Sequence, residues 1–139
     1  ETAYVLGPGT TIKKICDLMG VEKTLLGIDV LKNGRQLAKD ANEERLLELL
    51  ETNPKATIMV SPIGSQGFIF GRGNQQISSE VIRKVGFENI MVLSTPHKLS
   101  QTPMLLVDTG DTELDAKLKG KIKVITGYRM TTLRNVKGV

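Results

Sequence analysis

The chain has 139 residues, 40% hydrophobic and 24% charged, with a net charge of +4 and one cysteine, Cys16. That balance fits a single globular core and excludes a disordered tail, a collagen or coiled-coil fibre and a disulfide scaffold. One thiol and one histidine, His97, cannot supply the four ligands of a Cys/His metal centre, and no apolar run approaches the ~20 residues that a membrane helix needs.

The lone cysteine points to a reducing compartment, and a cytoplasmic location follows as the expectation. Beyond Asp115 there is no acidic residue, while Lys117, Lys119, Lys121, Lys123, Arg129, Arg134 and Lys137 bring seven positive charges. Such asymmetry suits an anionic partner. The chain opens on Glu1 and runs at once into a strand-like Tyr4-Val5-Leu6, the pattern expected of a piece of a longer polypeptide.

Tyr4-Val5-Leu6 leads through Gly7-Pro8-Gly9-Thr10-Thr11 into Ile12, Ile15, Leu18 and Met19 at helical spacing, with Gly20 placed to end the helix. Thr24 to Leu31 and Arg35 to Lys39 flank Asn33-Gly34, a pair that accepts the positive φ of a type I′ turn and predicts a hairpin. Asp40 and Glu43 have capping-box spacing ahead of Leu46, Leu47, Leu49 and Leu50, and that helix stops before Asn53-Pro54.

Ala56 to Ser61 reads as a buried strand, followed by a glycine-rich stretch from Gly64 to Gly73. A short helix over Ser79 to Val85, capped by Ser78 and closed by Gly86, then precedes a strand over Asn89 to Thr95. Met104 to Val107 is one more strand, Thr112 to Lys119 a helix ended by Gly120, and Lys121 to Leu133 a final alternating strand. A hairpin together with helical crossovers implies an α+β class, a mixed sheet with one Asn-Gly hairpin, in one domain over residues 1–139.

Two loops carry the chemistry. Gly7, Gly9, Thr10 and Thr11 stand between a strand and a helix start, where free N–H groups and hydroxyls can hold a phosphate, although neither a Walker A loop nor G-x-G-x-x-G is present and a plain turn with a threonine cap accounts for the same residues. The stretch from Ser61 to Gln76 combines four glycines with Ser65, Gln66, Asn74 and Arg72, whose planar fork suits phosphate. Phe68, Ile69 and Phe70 in its middle fit poorly with a loose surface loop. The acidic run Asp108-Thr109-Gly110-Asp111 departs from the EF-hand pattern and reads as helix capping, so no metal site is assigned. His97 follows Pro96 in a polar turn and reads as a surface residue, and Cys16 as a core one.

Five ordered blocks resemble the C-terminal half of the microbial ATP–NAD kinase-like proteins: Gly7 to Thr11, Leu25-Leu26-Gly27-Ile28-Asp29, Pro62 to Gln75, Asp108 to Asp111, and Val124-Ile125-Thr126-Gly127-Tyr128. Ser61-Pro62-Ile63-Gly64-Ser65 stands where NAD kinases carry a Thr-Pro-Thr-Gly-Ser-Thr-Ala-Tyr segment that contacts the dinucleotide. The resemblance implies phosphoryl transfer from ATP or polyphosphate to the adenosine-ribose 2′-hydroxyl of NAD, giving NADP, with Mg²⁺ on the phosphate donor.

It also implies that Gly64, Ser65 and Gly67 line the dinucleotide pocket, to which the side-chain chemistry of the same stretch adds Gln66, Arg72 and Asn74, and that Asn42 and Glu43 match the Asn-Glu pair set against the acceptor. Two departures stand out. No Gly-Gly dipeptide occurs, so the Gly-Gly-Asp-Gly loop with its catalytic aspartate is expected on an N-terminal domain outside this chain, and the fragment alone is expected to be inactive. Gln66-Gly67-Phe68 replaces Thr-Ala-Tyr, which keeps open a divergent member that binds a different nucleotide, and a non-catalytic nucleotide-binding regulator, using the same loops without phosphoryl transfer, is the alternative. The resemblance further implies a homo-oligomer. With 4% aromatic residues and no stacking platform, a nucleic-acid partner is not expected, nor is a membrane.

Overall fold

The computed structural model describes all residues, Glu1–Val139. Nine strands form one mixed sheet, threaded by five α-helices. The strands are β1 (Ala3–Leu6), β2 (Asp29–Lys32), β3 (Arg35–Ala38), β4 (Ala56–Val60), β5 (Phe68–Phe70), β6 (Ile90–Leu93), β7 (Met104–Val107), β8 (Gly120–Gly127) and β9 (Met130–Gly138). The helices are α1 (Thr10–Leu18), α2 (Glu43–Thr52), α3 (Ser79–Val85), α4 (Pro96–Ser100) and α5 (Thr112–Leu118). None is long and apolar enough to cross a membrane.

The sheet order is β3-β2-β1-β4-β6-β8-β9-β7-β5, with β1, β4, β6 and β8 parallel to their neighbours in that run. Alternation along these strands sends Val5, Ile58, Val92 and Val124 to one face, where Leu46 and Leu50 of α2, Val81 and Ile82 of α3 and Leu114 of α5 cover them. Leu6, Leu31 and Met59 point to the other face and pack under Ile12 and Cys16 of α1.

Strand β5 follows β4 after only residues 61–67, yet it lies at the far end of the sheet, five places away. Five strand spacings of ~4.8 Å equal the full stretch of such a connector, ~24 Å, and Ile63 spends part of that length pairing with Phe68. The sheet is therefore curled. Its β7–β5 end, with Leu105, Val107, Ile69 and Phe70, closes on the same core as Val5 and Ile58.

The Asn33-Gly34 hairpin forms as expected, with Asn33 at φ 53° and Gly34 at φ 75°. Four expectations are corrected. The strand read over Thr24 to Leu31 starts only at Asp29. The cap of α2 is Asn42, whose side chain accepts from Arg45 N–H, while Asp40 sits at φ 50° and gives its own N–H to Asp29. His97, though exposed, lies in helix α4 rather than in a turn, because Thr95 caps it and Pro96 opens it.

The final strand is in truth two. Arg129 at φ 57° turns β8 back on itself, and β9 pairs with it antiparallel before adding β7 on its other side. A Tyr-Arg turn carries no Gly or Asn signal, so the alternation on either side reads in sequence as one continuous strand.

Candidate functional site

The two glycine loops that lie more than fifty positions apart in sequence become neighbours, because β1 and β4 run side by side and parallel. Gly7 N–H donates to the Met59 carbonyl at 2.8 Å, extending the ladder past Leu6. Gly7 to Thr11 and Ser61 to Gly64 thus leave the sheet together at the carboxyl ends of their strands, the end at which open α/β sheets bind ligands. Ser94 and Thr95 after β6 and Thr126 at the end of β8 belong to the same edge.

Helix α1 starts at this edge without a side-chain cap or an acid in its first turn. Its first internal bond is from Lys13 N–H to the Gly9 carbonyl, which leaves the N–H groups of Thr10, Thr11 and Ile12 unbonded within the helix. Gly9 is fixed by donating to the Leu25 carbonyl at 2.8 Å.

The segment that carries that carbonyl is held on either side, at Thr24 and Gly27, by a buried ion pair that sequence reading missed. Lys23 lies 3.5 Å from Asp29, with both side chains withdrawn from solvent. Lys23 Nζ also donates to the Thr24 and Gly27 carbonyls, and Asp29 accepts from Thr24 N–H at 2.6 Å, Thr24 Oγ1 at 2.9 Å and Asp40 N–H at 2.7 Å. Burial pulls the Lys23 ammonium below its usual range, and the Asp29 charge opposes that shift. A β-carbon on Gly27 would come within 2.5 Å of Asp40 Oδ1 and 2.6 Å of Thr24 Oγ1, so a larger residue there would displace the side chains around the pair. The only sequence signal for this arrangement was a Lys and an Asp flanking an otherwise apolar segment.

Further along, the Ser61 to Asn74 segment divides into an exposed tip and a fixed frame. Gly64, Ser65 and Gln66 are exposed, and nothing stands within 4 Å of the place a Gly64 β-carbon would take. Ser65, Gln66 and Arg72 line a groove of about 510 Å³ with Phe68, Thr102 and Met104. Gly67 forms the turn behind it, at φ +81° and against the Met104 carbonyl. The Arg72 guanidinium stacks 4.5 Å above the Phe68 ring and meets Asp108 at 3.3 Å. Phe68 to Phe70 form strand β5, which explains why three apolar residues interrupt a polar loop.

Asn74 has a different employment from the pocket-lining one expected. It is fully buried, accepting from Gly71 N–H at 3.2 Å and donating to the Ile69 carbonyl at 2.9 Å, so it holds the loop from inside. Asn42 spends its Oδ1 on the α2 cap and stays exposed, with Glu43 beside it, and neither lines the Arg72 groove. Among the acidic residues, Asp108 pairs with Arg72, Asp111 caps α5 and pairs with Arg83, and Asp115 accepts from Thr109.

A family model described as the ATP-NAD kinase C-terminal domain matches residues 1–136. The chain belongs to this family. No curated protein and no solved structure shows a significant match. As an ATP-NAD kinase C-terminal domain, the chain is a nucleotide-handling unit of a transferase family, and its α+β sheet is the frame on which both glycine loops are displayed.

Proposed function

We propose that this domain is the dinucleotide-binding C-terminal part of an NAD kinase-like phosphotransferase, acting with ATP or polyphosphate to convert NAD to NADP. The observation that carries the reading is the family match over nearly the whole chain. In this scheme the exposed backbone of Gly64 to Gln66 approaches the dinucleotide, and Arg72 meets its pyrophosphate, exchanging the solvent-exposed Asp108 contact for the phosphate. Asn42 keeps Nδ2 free of the cap, and with Glu43 it offers a donor and an acceptor to a ribose edge.

The chain's own contribution is binding and orientation, which account for much of phosphoryl transfer. Mg²⁺ would arrive on the donor phosphates and neutralise their charge. No residue of this chain is assigned to it, because Asp108, Asp111 and Asp115 are engaged with Arg72, Arg83 and Thr109. The aspartate that activates the acceptor hydroxyl is assigned to a Gly-Gly-Asp-Gly domain outside this sequence, and the active form is a cytoplasmic homo-oligomer.

The test is calorimetric titration of the chain with NAD and NADP, followed by a turnover assay of the full-length protein with ATP or polyphosphate. Saturable dinucleotide binding and NADP formation are expected. Binding without turnover in the full-length protein would instead assign a non-catalytic regulator.

A further inference from the structure

Strands β8 and β9 form a ribbon whose two sides differ. Along β9, Thr132, Arg134 and Val136 are buried or half-buried, whereas Thr131, Leu133, Asn135 and Lys137 between them are exposed. Lys121 pairs with Asn135, Lys123 with Leu133 and Ile125 with Thr131, which puts both lysines on the exposed side. Ile125 also pairs with Leu93, and Met91, two residues before Leu93, pairs with Met59. The exposed side is therefore the side on which α1 covers Leu6 and Met59.

Parallel strands are ordinarily covered on both faces. Helices α2, α3 and α5 cover one face of this sheet, but on the other no helix lies over the ribbon, and Leu133 is left 56% exposed. Between α1 and β8 runs an apolar slot of about 260 Å³, with Ile15, Leu93 and Ile125 in its walls.

Charge on this side is of one sign. Strands β4, β6, β8 and β9 contain no Asp or Glu. Lys121, Lys123 and Lys137 are exposed and have no ion-pair partner. Two copies stacked on this face would set lysine against lysine, which disfavours a symmetric self-contact. Leu133 and Ile125 among the lysines suit an amphipathic partner rather than a bare phosphate chain, and the slot admits a side chain, which a helix supplies and a flat lipid surface does not.

We infer that the exposed side of the β8–β9 ribbon docks an acidic amphipathic helix of a protein partner, laid beside α1. Its apolar stripe covers Leu133 and enters the slot at Ile125, and its flanking carboxylates meet Lys121, Lys123 and Lys137. The helix completes the layer that α1 begins. This goes beyond the dinucleotide reading and shares no residue with the Arg72 groove.

The probe is a synthetic helical peptide with leucine along one stripe and glutamate on both flanks, titrated into the chain and followed by amide NMR. Saturable binding is expected, with shifts along Lys121–Ile125 and Thr131–Asn135. The double variant Lys121→Glu, Lys123→Glu and the single variant Leu133→Ser are each expected to weaken it about tenfold or more. All three positions are exposed, so thermal unfolding should show both variants folded. The same peptide with lysine in place of glutamate is expected not to bind.

No binding of the glutamate peptide, equal binding of the lysine peptide, or shifts away from the ribbon overturns the inference. Should the peptide fail, co-sedimentation with phosphatidylserine vesicles that the double variant abolishes would assign this face to a membrane. A dimer abolished by the same variant would assign it to a second copy.

Discussion

The Asp108 carbonyl oxygen occupies the space that a β-carbon on Gly71 would need. Gly71 stands at φ +93°, its N–H is held by Asn74, and its neighbour Phe70 accepts from Asp108 N–H at 3.0 Å. The β5 end of the glycine-rich segment is thereby locked to the end of β7, and Arg72 is delivered onto the same Asp108 through its side chain.

Gly71→Ala therefore meets both a left-handed backbone and a backbone clash that no rotamer relieves. A loss of about 3 kcal/mol or more is expected in urea unfolding. Arg72→Ala, one position on, removes only an exposed pair and a stacking contact, so stability should change by under about 1 kcal/mol while NAD affinity falls about tenfold.

Asp29→Ala leaves the Lys23 ammonium buried and uncompensated, and a cost of about 3–5 kcal/mol is expected. Because this pair holds Thr24 and Gly27 on either side of Leu25, whose carbonyl holds Gly9, amide exchange at Gly9 and at the start of α1 should quicken in the variant even under native conditions.

Asn42→Ala removes the α2 cap and should cost about 1 kcal/mol. Asn42→Asp restores a capping oxygen but not the amide donor. Thermal unfolding should recover with Asp, whereas NAD affinity should stay low in both variants if Nδ2 serves the ribose.

Arg83 beside Asp111 holds that carboxyl below its ordinary value of 3.8, chiefly through their hydrogen bond and with help from the Leu114 N–H. A carboxyl lowered in the folded state stabilises above its unfolded value and loses that contribution as pH falls through the folded one. The stability gap between the wild type and Asp111→Asn should thus be present at neutral pH and close below pH 3.8, as measured by denaturation at stepped pH.

Local structure is written within single segments of the chain. Asn33-Gly34 dictates a hairpin because both residues accept positive φ, Ser78 and Asp111 start helices through side-chain oxygens, and the alternation of Ile58, Val60, Val92 and Val124 marks a buried sheet. The family was legible for a related reason, since its ordered blocks are loops whose residue types are constrained by backbone geometry.

Tertiary structure decided the rest. The Tyr128-Arg129 turn depends on the β9 pairing it permits, and the capping oxygen passed from Asp40 to Asn42 because Asp29 claims the Asp40 N–H from eleven residues away. Parallel pairing of β1 with β4 set Gly7–Thr11 beside Ser61, and the curl of the sheet carried Arg72 off to Asp108. These are contacts between distant segments, whose loop-closure cost is recovered only when the whole core forms, and no window of sequence contains both partners.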